Sequence, residues 1–383
     1  FTYNGANMTA GANVNAGATS VSTTMTGGSG ADTLAGGSSN DVITGGAGAD
    51  SITANAGFDS IDAGAGNDTI VMGSNISLSD TVDGGDGTDS LTGTIGVATA
   101  QGFASVSNVE NATLDFTAAG SYNASGTSMS VINITGANTI AATVNNIASS
   151  QRIDLEDTHL DGVTLDYAAD ATANIQTGVS TAITTDALTV TDAQTVNITT
   201  AGGADSAFDA VTLDATDTDF LTVTAGVAAS GLTATGAFAA DDVQTVELTT
   251  SATNAHISLG AGSTFLNTAD KLTTLTINAD GDDSSDITVT ALGAVNAAGA
   301  AAALTNVTVT ADNGADVSVG AIDAEGASIS TVSLTSSFTG SDITMSGLGL
   351  DGANITSIAN ITASAVAGAT ITISNIEATT VGQ

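Results

Sequence analysis

The stretch GGSGADTLAGGSSNDVITGGAGADSITANAGFDSIDAGAGNDTIV (27–71) decides the fold, because it is five copies of one nine-residue unit in unbroken register. A sixth copy, GGDGTDSLT (84–92), follows after an interruption. Glycine fills most of the first, second and fourth positions of the unit, and every copy has an aspartate at position six and a leucine or isoleucine at position eight. The aspartates are Asp32, Asp41, Asp50, Asp59, Asp68 and Asp89, and the aliphatic residues are Leu34, Ile43, Ile52, Ile61, Ile70 and Leu91.

Each unit predicts one tight loop followed by one short strand. Glycine permits the left-handed and strained backbone conformations of a tight loop, and the last three residues, with one large aliphatic side chain, fit a strand. One unit is then half of a coil, so loops eighteen residues apart stack at the same edge of a roll. Asp32, Asp50 and Asp68 share one edge and Asp41 and Asp59 the other, while the aliphatic residues of position eight point inward.

The stacked aspartates require a cation. Neighbouring strands lie about 4.8 Å apart, and carboxylates at that spacing repel each other unless a positive charge lies between them. The chain has only two basic residues, Arg152 and Lys271, so that charge must come from outside the chain. A divalent cation with carboxylate and carbonyl ligands meets the need, and Ca²⁺ tolerates flexible oxygen coordination better than Mg²⁺. The sequence therefore predicts several bound Ca²⁺ ions.

The unit resembles the repeats-in-toxin (RTX) nonapeptide, the hemolysin-type calcium-binding repeat of parallel β-rolls, and the resemblance covers residues 27–92. It implies that position-six carboxylates and loop carbonyl groups share Ca²⁺ between stacked loops. The implied metal ligands are the six aspartates together with Gly27, Ser29, Gly36, Ser38, Gly45, Ala47, Ala63, Ala65, Gly84 and Asp86. Copies four and five depart from the pattern at Ala54, Asn55 and Ala63, so the resemblance is weaker for a site between copies three and five than for one between copies one and three.

Further acidic loops are candidates of a second tier. They contain Asp83, Asp214, Asp217, Asp219, Asp280, Asp282, Asp286, Asp312 and Asp316. The alternative for each is that the acids only solvate a turn, which favours solubility. The interruption at 71–83 predicts a looped-out segment or one larger coil, and for Asp80, Asp83 and Asp86 a role as surface acids is favoured over additional ligands.

From about residue 93 glycine becomes rarer, threonine more frequent, and short strands alternate apolar residues with Thr, Ser, Asn or Asp. Such alternation gives each strand one buried and one wet face. Two classes of strand alternate through the C-terminal half, with apolar residues at Val246, Leu275, Val307, Val332 and Ile358 in the first and at Ile257, Ile287, Val317, Ile343 and Ile371 in the second. The steps within each class are 25–32 residues, a period typical of a stacked solenoid.

We therefore predict an all-β protein with three parts. Residues 1–26 are a leading coil or the end of a preceding domain, 27–92 an RTX parallel β-roll, and 93–383 a Thr/Ala-rich parallel β-solenoid that serves assembly. The alternative for the last part is a series of stacked β-sandwiches of the immunoglobulin kind, because short strands at this spacing also fit sandwiches.

Composition and motifs exclude several classes of function. The net charge is −38, with 40 acidic residues and 2 basic ones, so nucleic acid and anionic membrane surfaces, which need basic patches, are not expected partners. No stretch approaches the roughly 20 apolar residues of a membrane span. The sequence contains no cysteine, no HExxH motif and no GxSxG motif, which argues against thiol catalysis, RTX metalloproteases and RTX lipases. We predict that the chain is not an enzyme.

The region after the repeats also carries a resemblance. Phrases such as NVENATLDF (108–116), VQTVELTT (243–250) and LTTLTINAD (272–280) are similar to the repeats that accompany RTX motifs in bacterial S-layer proteins. This resemblance implies a secreted protein at the bacterial cell surface, exported by type I secretion, whose partners are copies of itself in a calcium-dependent lattice, with cell-surface polysaccharide as a further partner. The alternative function is an RTX adhesin that binds glycans or neighbouring cells. The terminus ISNIEATTVGQ (373–383) gives no clear support for a C-terminal secretion signal, which is expected outside this sequence.

Overall fold

The computed structural model describes residues 1–74, 76–96, 101–136, 140–156, 159–178, 183–202, 205–213, 218–236, 238–239, 243–260, 271–282, 284–290, 303–322, 327–348, 355–378 and 381. Over these ranges the protein consists of β-strands and loops. None of the ranges contains a helix long and apolar enough to cross a membrane. The chain divides into two compact units, Phe1–Asp154 and Leu155–Gln383. The predicted domain boundaries after residues 26 and 92 follow the sequence pattern and stay predictions.

The first unit contains sixteen strands within its described residues. They are β1 (Thr2–Asn4), β2 (Asn13–Asn15), β3 (Thr24–Thr26), β4 (Thr33–Ala35), β5 (Val42–Ala47), β6 (Ser51–Thr53), β7 (Ser60–Ala65), β8 (Thr69–Gly73), β9 (Thr81–Asp83), β10 (Ser90–Ile95), β11 (Gln101–Gly102), β12 (Ser105–Ser107), β13 (Asn111–Phe116), β14 (Gly120–Asn123), β15 (Val131–Gly136) and β16 (Ile140–Ile147). The next strand, β17 (Arg152–Leu155), includes the boundary between the units.

Two parallel sheets build the roll of the first unit. One sheet has the order β1-β3-β5-β7-β9-β12, and the other contains β2, β4, β6, β8, β10, β13 and β15, each strand paired in parallel with the next. Between β3 and β7, and between β4 and β8, every pair is eighteen residues apart, as in Thr24↔Val42 and Thr33↔Ser51. This is the half-coil arrangement that the nine-residue period predicts, so the predicted parallel β-roll is confirmed.

The position-eight side chains form the core of the roll. Met25, Ile43, Ile61 and Val82 are in register in one sheet, and Leu34, Ile52, Ile70 and Leu91 in the other. All eight are at most 2% exposed. Because most of these strands have only one large inward side chain, the roll depends on an unbroken column of these residues for its apolar burial, to which β8 adds Met72 and β10 adds Ile95, both 0% exposed.

The interruption after the fifth copy is shorter than the sequence predicts. Strand β9 pairs in register with β7, with Ile61 beside Val82, so the segment ending at Asp83 supplies an ordinary half-coil. Its sequence NISLSDTVD (75–83) is a degenerate copy of the nine-residue unit. It lacks glycine but has Asp80 at position six and Val82 at position eight. Three residues, 72–74, are therefore inserted, so this coil is 21 residues long instead of 18, and of the two predicted alternatives the single larger coil is confirmed.

The second unit contains strands at a longer period. They are β18 (His159–Thr177), β19 (Ile183–Thr200), β20 (Ser206–Leu213), β21 (Phe220–Ala225), β22 (Gly231–Ala234), β23 (Phe238–Ala239), β24 (Thr245–Thr250), β25 (His256–Leu259), β26 (Thr274–Asp280), β27 (Ile287–Val289), β28 (Asn306–Asp312), β29 (Val317–Ile322), β30 (Ser328–Ser336), β31 (Ile343–Leu348), β32 (Ser357–Ala365) and β33 (Ile371–Ile373). Their pairings are parallel. Antiparallel sandwiches of the immunoglobulin kind are thereby excluded for the described strands, and the predicted parallel solenoid is confirmed.

The two predicted strand classes are found in register, with one shift. All members of the second class, from Ile257 to Ile371, pair with one another in order. In the first class Val332 pairs with Ile361 instead of Ile358, which pairs with Ile329. The three-residue difference arises because β30 and β32 are nine residues long and offer two apolar residues at this spacing.

In the second unit, alternation along the strands separates a buried column of apolar side chains from an outward row of polar side chains. Val223, Leu248, Ile277, Val309 and Leu334 follow one another in register and are 0% exposed. The residues directly before them are polar and form an outward row, consisting of Thr222, Glu247, Thr276, Thr308 and Ser333. Such alternation stabilises the solenoid from its interior and presents the same kind of polar side chain once per coil.

Candidate metal centre

Position-six carboxylates form two columns in the roll. The first carboxylate column is Asp32, Asp50, Asp68 and Asp89, and the second is Asp41, Asp59 and Asp80. In both columns the backbone N–H of one aspartate donates to Oδ1 of the next, over 2.7 to 2.8 Å. The predicted stacking of loops eighteen residues apart is therefore present. Each carboxylate, however, lies against a peptide N–H of the preceding coil, which lessens the repulsion that the sequence suggested.

These carboxylates are buried, and burial raises the pKa of four of them. All seven side chains are at most 2% exposed. Burial disfavours the charged form and raises the pKa of Asp50 and of Asp59 to about 6, although the N–H bonds from Asp32 and Asp41 act in the opposite direction. Neighbouring carboxylates add to the increase. Burial likewise raises the pKa of Asp68 and of Asp89. A cation in these loops would remove the penalty on the charged form.

The loops of the first two copies saturate their carboxylates with hydrogen bonds. Oδ2 of Asp32 accepts from the N–H of Gly28, and Oδ2 of Asp41 accepts from the N–H of Gly37, both at 2.6 Å. Oδ1 of each also accepts an N–H, from Ala12 in the first case and from Thr23 in the second. Both oxygens therefore have protein partners in these two copies.

The loops of copies three, five and six leave one carboxylate oxygen without a partner. Oδ2 of Asp50, Asp68 and Asp89 is buried and has no hydrogen-bond partner among the described residues. The second glycine of these loops has a positive φ, +114° at Gly46, +105° at Gly64 and +94° at Gly85. The corresponding Gly28 and Gly37 of the first two copies do not. The positive φ accompanies the loss of the N–H bond to Oδ2, so these three loops keep an acceptor free.

In copies three and six, a carbonyl oxygen of the next coil and the free acceptor lie beside the same position-one glycine. A Cβ on Gly45 would lie 2.5 Å from Oδ2 of Asp50 and closer still to the carbonyl oxygen of Ala63. The space beside the glycine is thus lined by a carboxylate and a carbonyl oxygen from successive coils. Ca²⁺ takes six to eight oxygen ligands at about 2.3 to 2.6 Å, and an unpaired buried carboxylate is costly without such a partner. The donor set therefore fits Ca²⁺.

The other predicted loop ligands lie in the same loops. Gly27, Gly36, Gly45 and Gly84 occupy position one, where their missing side chains leave room for the carboxylate of their own copy. At position three, the N–H groups of Ser29, Ser38, Ala47 and Asp86 donate to carbonyls of the preceding coil. The carbonyls of Ala65 and Asp86 each accept one N–H from the preceding coil, which leaves them a second lone pair. The Asp86 side chain is exposed.

Among the second-tier residues, the structure pairs several with hydrogen-bond donors. Asp83 accepts from Nδ2 of Asn108 at 2.7 Å. Asp219 accepts from the side-chain amides of Gln194 and Gln244. Asp282 accepts from the N–H groups of Asn254 and Ser284 and from the Ser285 hydroxyl, and the Asn254 bond, the strongest influence, lowers its pKa. Asp214 and Asp217 lie outside the described residues.

The remaining second-tier residues form two smaller stacks in the second unit. Asp280 and Asp312 are register neighbours on β26 and β28, and Asn313 donates to Asp280. Oδ1 of Asp286 accepts the N–H of Asp316 at 3.0 Å, and Oδ1 of Asp316 accepts the N–H of Asp342 at 2.7 Å. Nowhere in the described ranges do three or more His, Cys, Asp or Glu side chains converge at one point. Backbone carbonyls would therefore have to supply most ligands of any calcium site in this part of the chain.

Sequence reasoning missed two members of the columns. Asp80, interpreted as a surface acid, is 0% exposed, and its carboxylate accepts the N–H groups of Asp59 and Ser77. The signal was available, because Asp80-Thr81-Val82 repeats the pattern of Asp32-Thr33-Leu34. Glu110 extends the first column, with Oε2 accepting the N–H of Asp89 at 2.8 Å. In the sequence, Glu110 is recognisable only because it lies two residues before Ala112, which pairs with Leu91 and so takes position eight. A small residue such as alanine is a weak signal for that position.

Comparison with known families supports the repeat assignment. A family model described as the RTX calcium-binding nonapeptide repeat, which contains four copies, matches residues 26–59, 47–75 and 79–97. The matched segments include all six regular copies and the loops that hold the two carboxylate columns. A search of curated proteins and a search of solved structures each gave no match.

Proposed function

From the RTX calcium-binding nonapeptide repeats within residues 26–97, we infer that this chain is a secreted, calcium-dependent structural protein of the bacterial cell surface. RTX repeats bind calcium and are typical of secreted proteins. The specific proposal is that the chain assembles with copies of itself into an extracellular array of the S-layer kind, with cell-surface polysaccharide as a further partner. The proposed role is structural and not catalytic.

One observation carries the calcium part of the proposal. Asp50, Asp68 and Asp89 each bury a carboxylate oxygen that has no hydrogen-bond partner among the described residues. Bound Ca²⁺ would supply the positive charge that these oxygens lack. The glycine loops hold the carboxylates and carbonyls at one point, and the N–H bond on each Oδ1 fixes the orientation of the group. Because such a site does not exist in the unfolded chain, metal binding adds to the free energy of folding.

The array part of the proposal is supported by the regularity of the second unit. Its outward row of Thr, Ser and Glu side chains recurs once per coil over five coils. Solenoids present extended surfaces of this kind to their partners. A net charge of −38 makes copies of the chain repel each other until cations reduce that charge. Calcium-dependent association between copies is the expected consequence.

Electron microscopy of the purified full chain, with millimolar Ca²⁺ and with a chelator, tests the proposal. We expect ordered sheets or tubes only with Ca²⁺. Dispersed rods that bind cells or glycans would support the adhesin and contradict the array. A matched sample in the same concentration of Mg²⁺ separates specific calcium dependence from general screening of the negative charge.

A further inference from the structure

The last regular repeat contributes to the first carboxylate column a carboxylate with only one of its two oxygens hydrogen-bonded. Asp89 is 0% exposed. Its Oδ1 accepts the N–H of Asp68 at 2.7 Å, whereas Oδ2 has no hydrogen-bond partner among the described residues. The residue one coil ahead belongs to a segment without the nonapeptide pattern, so the regular repeats do not supply a partner from that side.

Two residues of that non-repeat segment face Asp89. A Cβ on Gly84 would lie 2.7 Å from Oδ2 of Asp89 and closer still to the carbonyl oxygen of Asn108. Oε2 of Glu110 accepts the N–H of Asp89 at 2.8 Å. Asn108 has a φ of +52°, and its side chain donates to Asp83 at 2.7 Å, which holds this turn against the roll.

The carboxylate column stops at Glu110. The corresponding residue of the next coil is Ser130, whose N–H donates to the Glu110 carbonyl and not to a carboxylate. Asp89, Asn108 and Glu110 therefore form the last place in the column where carboxylate and carbonyl oxygens from successive coils meet. Asn108 and Glu110 lie beyond residue 97, where the family match ends.

We propose that a further divalent-cation site, of the oxygen-rich kind that takes Ca²⁺, joins the last repeat to this segment, with Oδ2 of Asp89, the carbonyl of Asn108 and the carboxylate of Glu110 as its protein ligands. The site rests on the calcium binding proposed above. A buried Oδ2, a carbonyl and a second carboxylate offer hard oxygen ligands to such a cation, with water completing the shell. Occupancy of the site would order residues 105–113 and so transmit calcium binding from the repeats to the coil that follows.

The test uses the full chain and four charge-removing variants, of which Asp50→Asn reports on calcium binding by the repeats themselves. Asp89→Asn replaces the unpartnered oxygen by an N–H₂ that can donate to the Asn108 carbonyl, so the metal-free fold is preserved. Glu110→Gln keeps an oxygen that accepts the N–H of Asp89. Asp62→Asn is the matched control, because Asp62 is exposed on the same roll. Bound calcium per chain is counted by elemental analysis at several free Ca²⁺ concentrations, and hydrogen exchange is followed in 105–113.

We expect Asp89→Asn to bind one Ca²⁺ fewer than wild type, and Glu110→Gln to bind that ion at least tenfold more weakly. In both variants the calcium-dependent protection of 105–113 is lost, whereas Asp62→Asn behaves as wild type. If both variants bind as many ions as wild type with equal affinity and Asp50→Asn does not, this site is wrong and calcium binding by the repeats stands. If wild type binds no Ca²⁺, the proposed function itself is overturned, and this site with it.

Discussion

The backbone N–H of Asp50 donates a hydrogen bond to Oδ1 of Asp68, 2.7 Å away and one coil further along the roll. The same bond links Asp32 to Asp50 and Asp68 to Asp89. Each carboxylate thus has one oxygen held by the protein. What differs between repeats is the second oxygen, which a loop N–H satisfies at Asp32 and nothing among the described residues satisfies at Asp50. That difference divides the repeats into self-capped loops and loops built for a cation.

Replacing Asp50 and Asp32 in turn by asparagine distinguishes these two kinds of loop. In Asp50→Asn the free Oδ2 becomes an N–H₂ and a negative charge is lost, so we expect calcium affinity to fall by about 10- to 100-fold, as for other changes at metal sites. Metal-free stability should be unchanged or higher, since a buried charge is removed. Calcium titration calorimetry and urea denaturation in chelator measure the two quantities.

Asp32→Asn should behave in the opposite way. Its N–H₂ would face either the N–H of Gly28 or that of Ala12, both of which now donate to the carboxylate. The unpaired donors should lower metal-free stability by about 1 to 3 kcal/mol, with little effect on calcium affinity. Equal effects of the two substitutions on both quantities would contradict the division into two kinds of loop.

The metal-free protein should lose stability as the pH rises from about 4 to about 6. The pKa of Asp50 and of Asp59 in the folded state is about 6, compared with about 3.9 for an unfolded aspartate. Between these values the folded state holds protons that the unfolded state has released, so the stabilisation is complete below the unfolded pKa and lost as the pH rises through the folded pKa. Urea midpoints measured in chelator across this range test the sign.

Calcium should reverse this trend. Because Ca²⁺ and protons compete for the same carboxylates, the stabilisation by calcium should grow as the pH rises from about 5 to about 7. Asp68 and Asp89, whose pKa burial also raises, act in the same direction. A metal-free urea midpoint that increases with pH over this interval would show that these carboxyls are not desolvated as described.

Adjacent residues of β5 provide a matched test of the core. Ile43 is 0% exposed in the inward column, whereas Val42 is 49% exposed on the outer face. Ile43→Ala should lower the free energy of unfolding by about 2 to 5 kcal/mol, because it leaves a cavity. Val42→Ala should change it by no more than about 0.5 kcal/mol. Chemical denaturation in saturating Ca²⁺ gives both values, and similar losses would contradict the assigned faces of the strand.

Asp80 tests the corrected register of the interruption. Asp80→Ala removes the acceptor for the N–H groups of Asp59 and Ser77, which should lower stability by about 1 to 3 kcal/mol. The control Asp62→Ala changes an exposed aspartate of the same roll and should stay within about 0.5 kcal/mol. If Asp80→Ala is as mild as the control, then Asp80 is the surface acid that the sequence first suggested.

Local periodicity made most of the roll predictable. A fixed spacing of one aspartate and one aliphatic residue determines which loops stack and which side chains point inward, as Ile43 and Ile61 show. The role of Asp80 in the second carboxylate column was missed because its half-coil lacks the glycines by which the repeats were recognised. The two loop conformations could not be predicted for a different reason. Gly28 and Gly46 are both glycines at position two of their copies, and only their backbone conformation distinguishes a capped carboxylate from a free one.

In the second unit, periodicity gave the class and direction of the strands but not every register. The second class of strands contains a single short apolar pattern per coil, and its register from Ile257 to Ile371 followed from the sequence. In β32 both Ile358 and Ile361 fit the pattern, and contacts with the preceding coil decide between them. Local sequence does not encode such a choice, because Ile358 and Ile361 are three residues apart, as are Ile329 and Val332 on the strand that they pair with, so either isoleucine could be aligned with Val332.

The central claim is that calcium binding in the repeats stabilises the fold, and a calcium titration of the metal-free full chain tests it most directly. Far-ultraviolet circular dichroism and calorimetry are recorded as Ca²⁺ is added up to millimolar concentration. We predict a gain of β-sheet signal with a measurable heat of binding, and a weaker response to Mg²⁺, because the unpartnered oxygens of Asp50, Asp68 and Asp89 acquire a ligand that flexible oxygen coordination favours. A spectrum that Ca²⁺ leaves unchanged, with no heat of binding, would contradict the account.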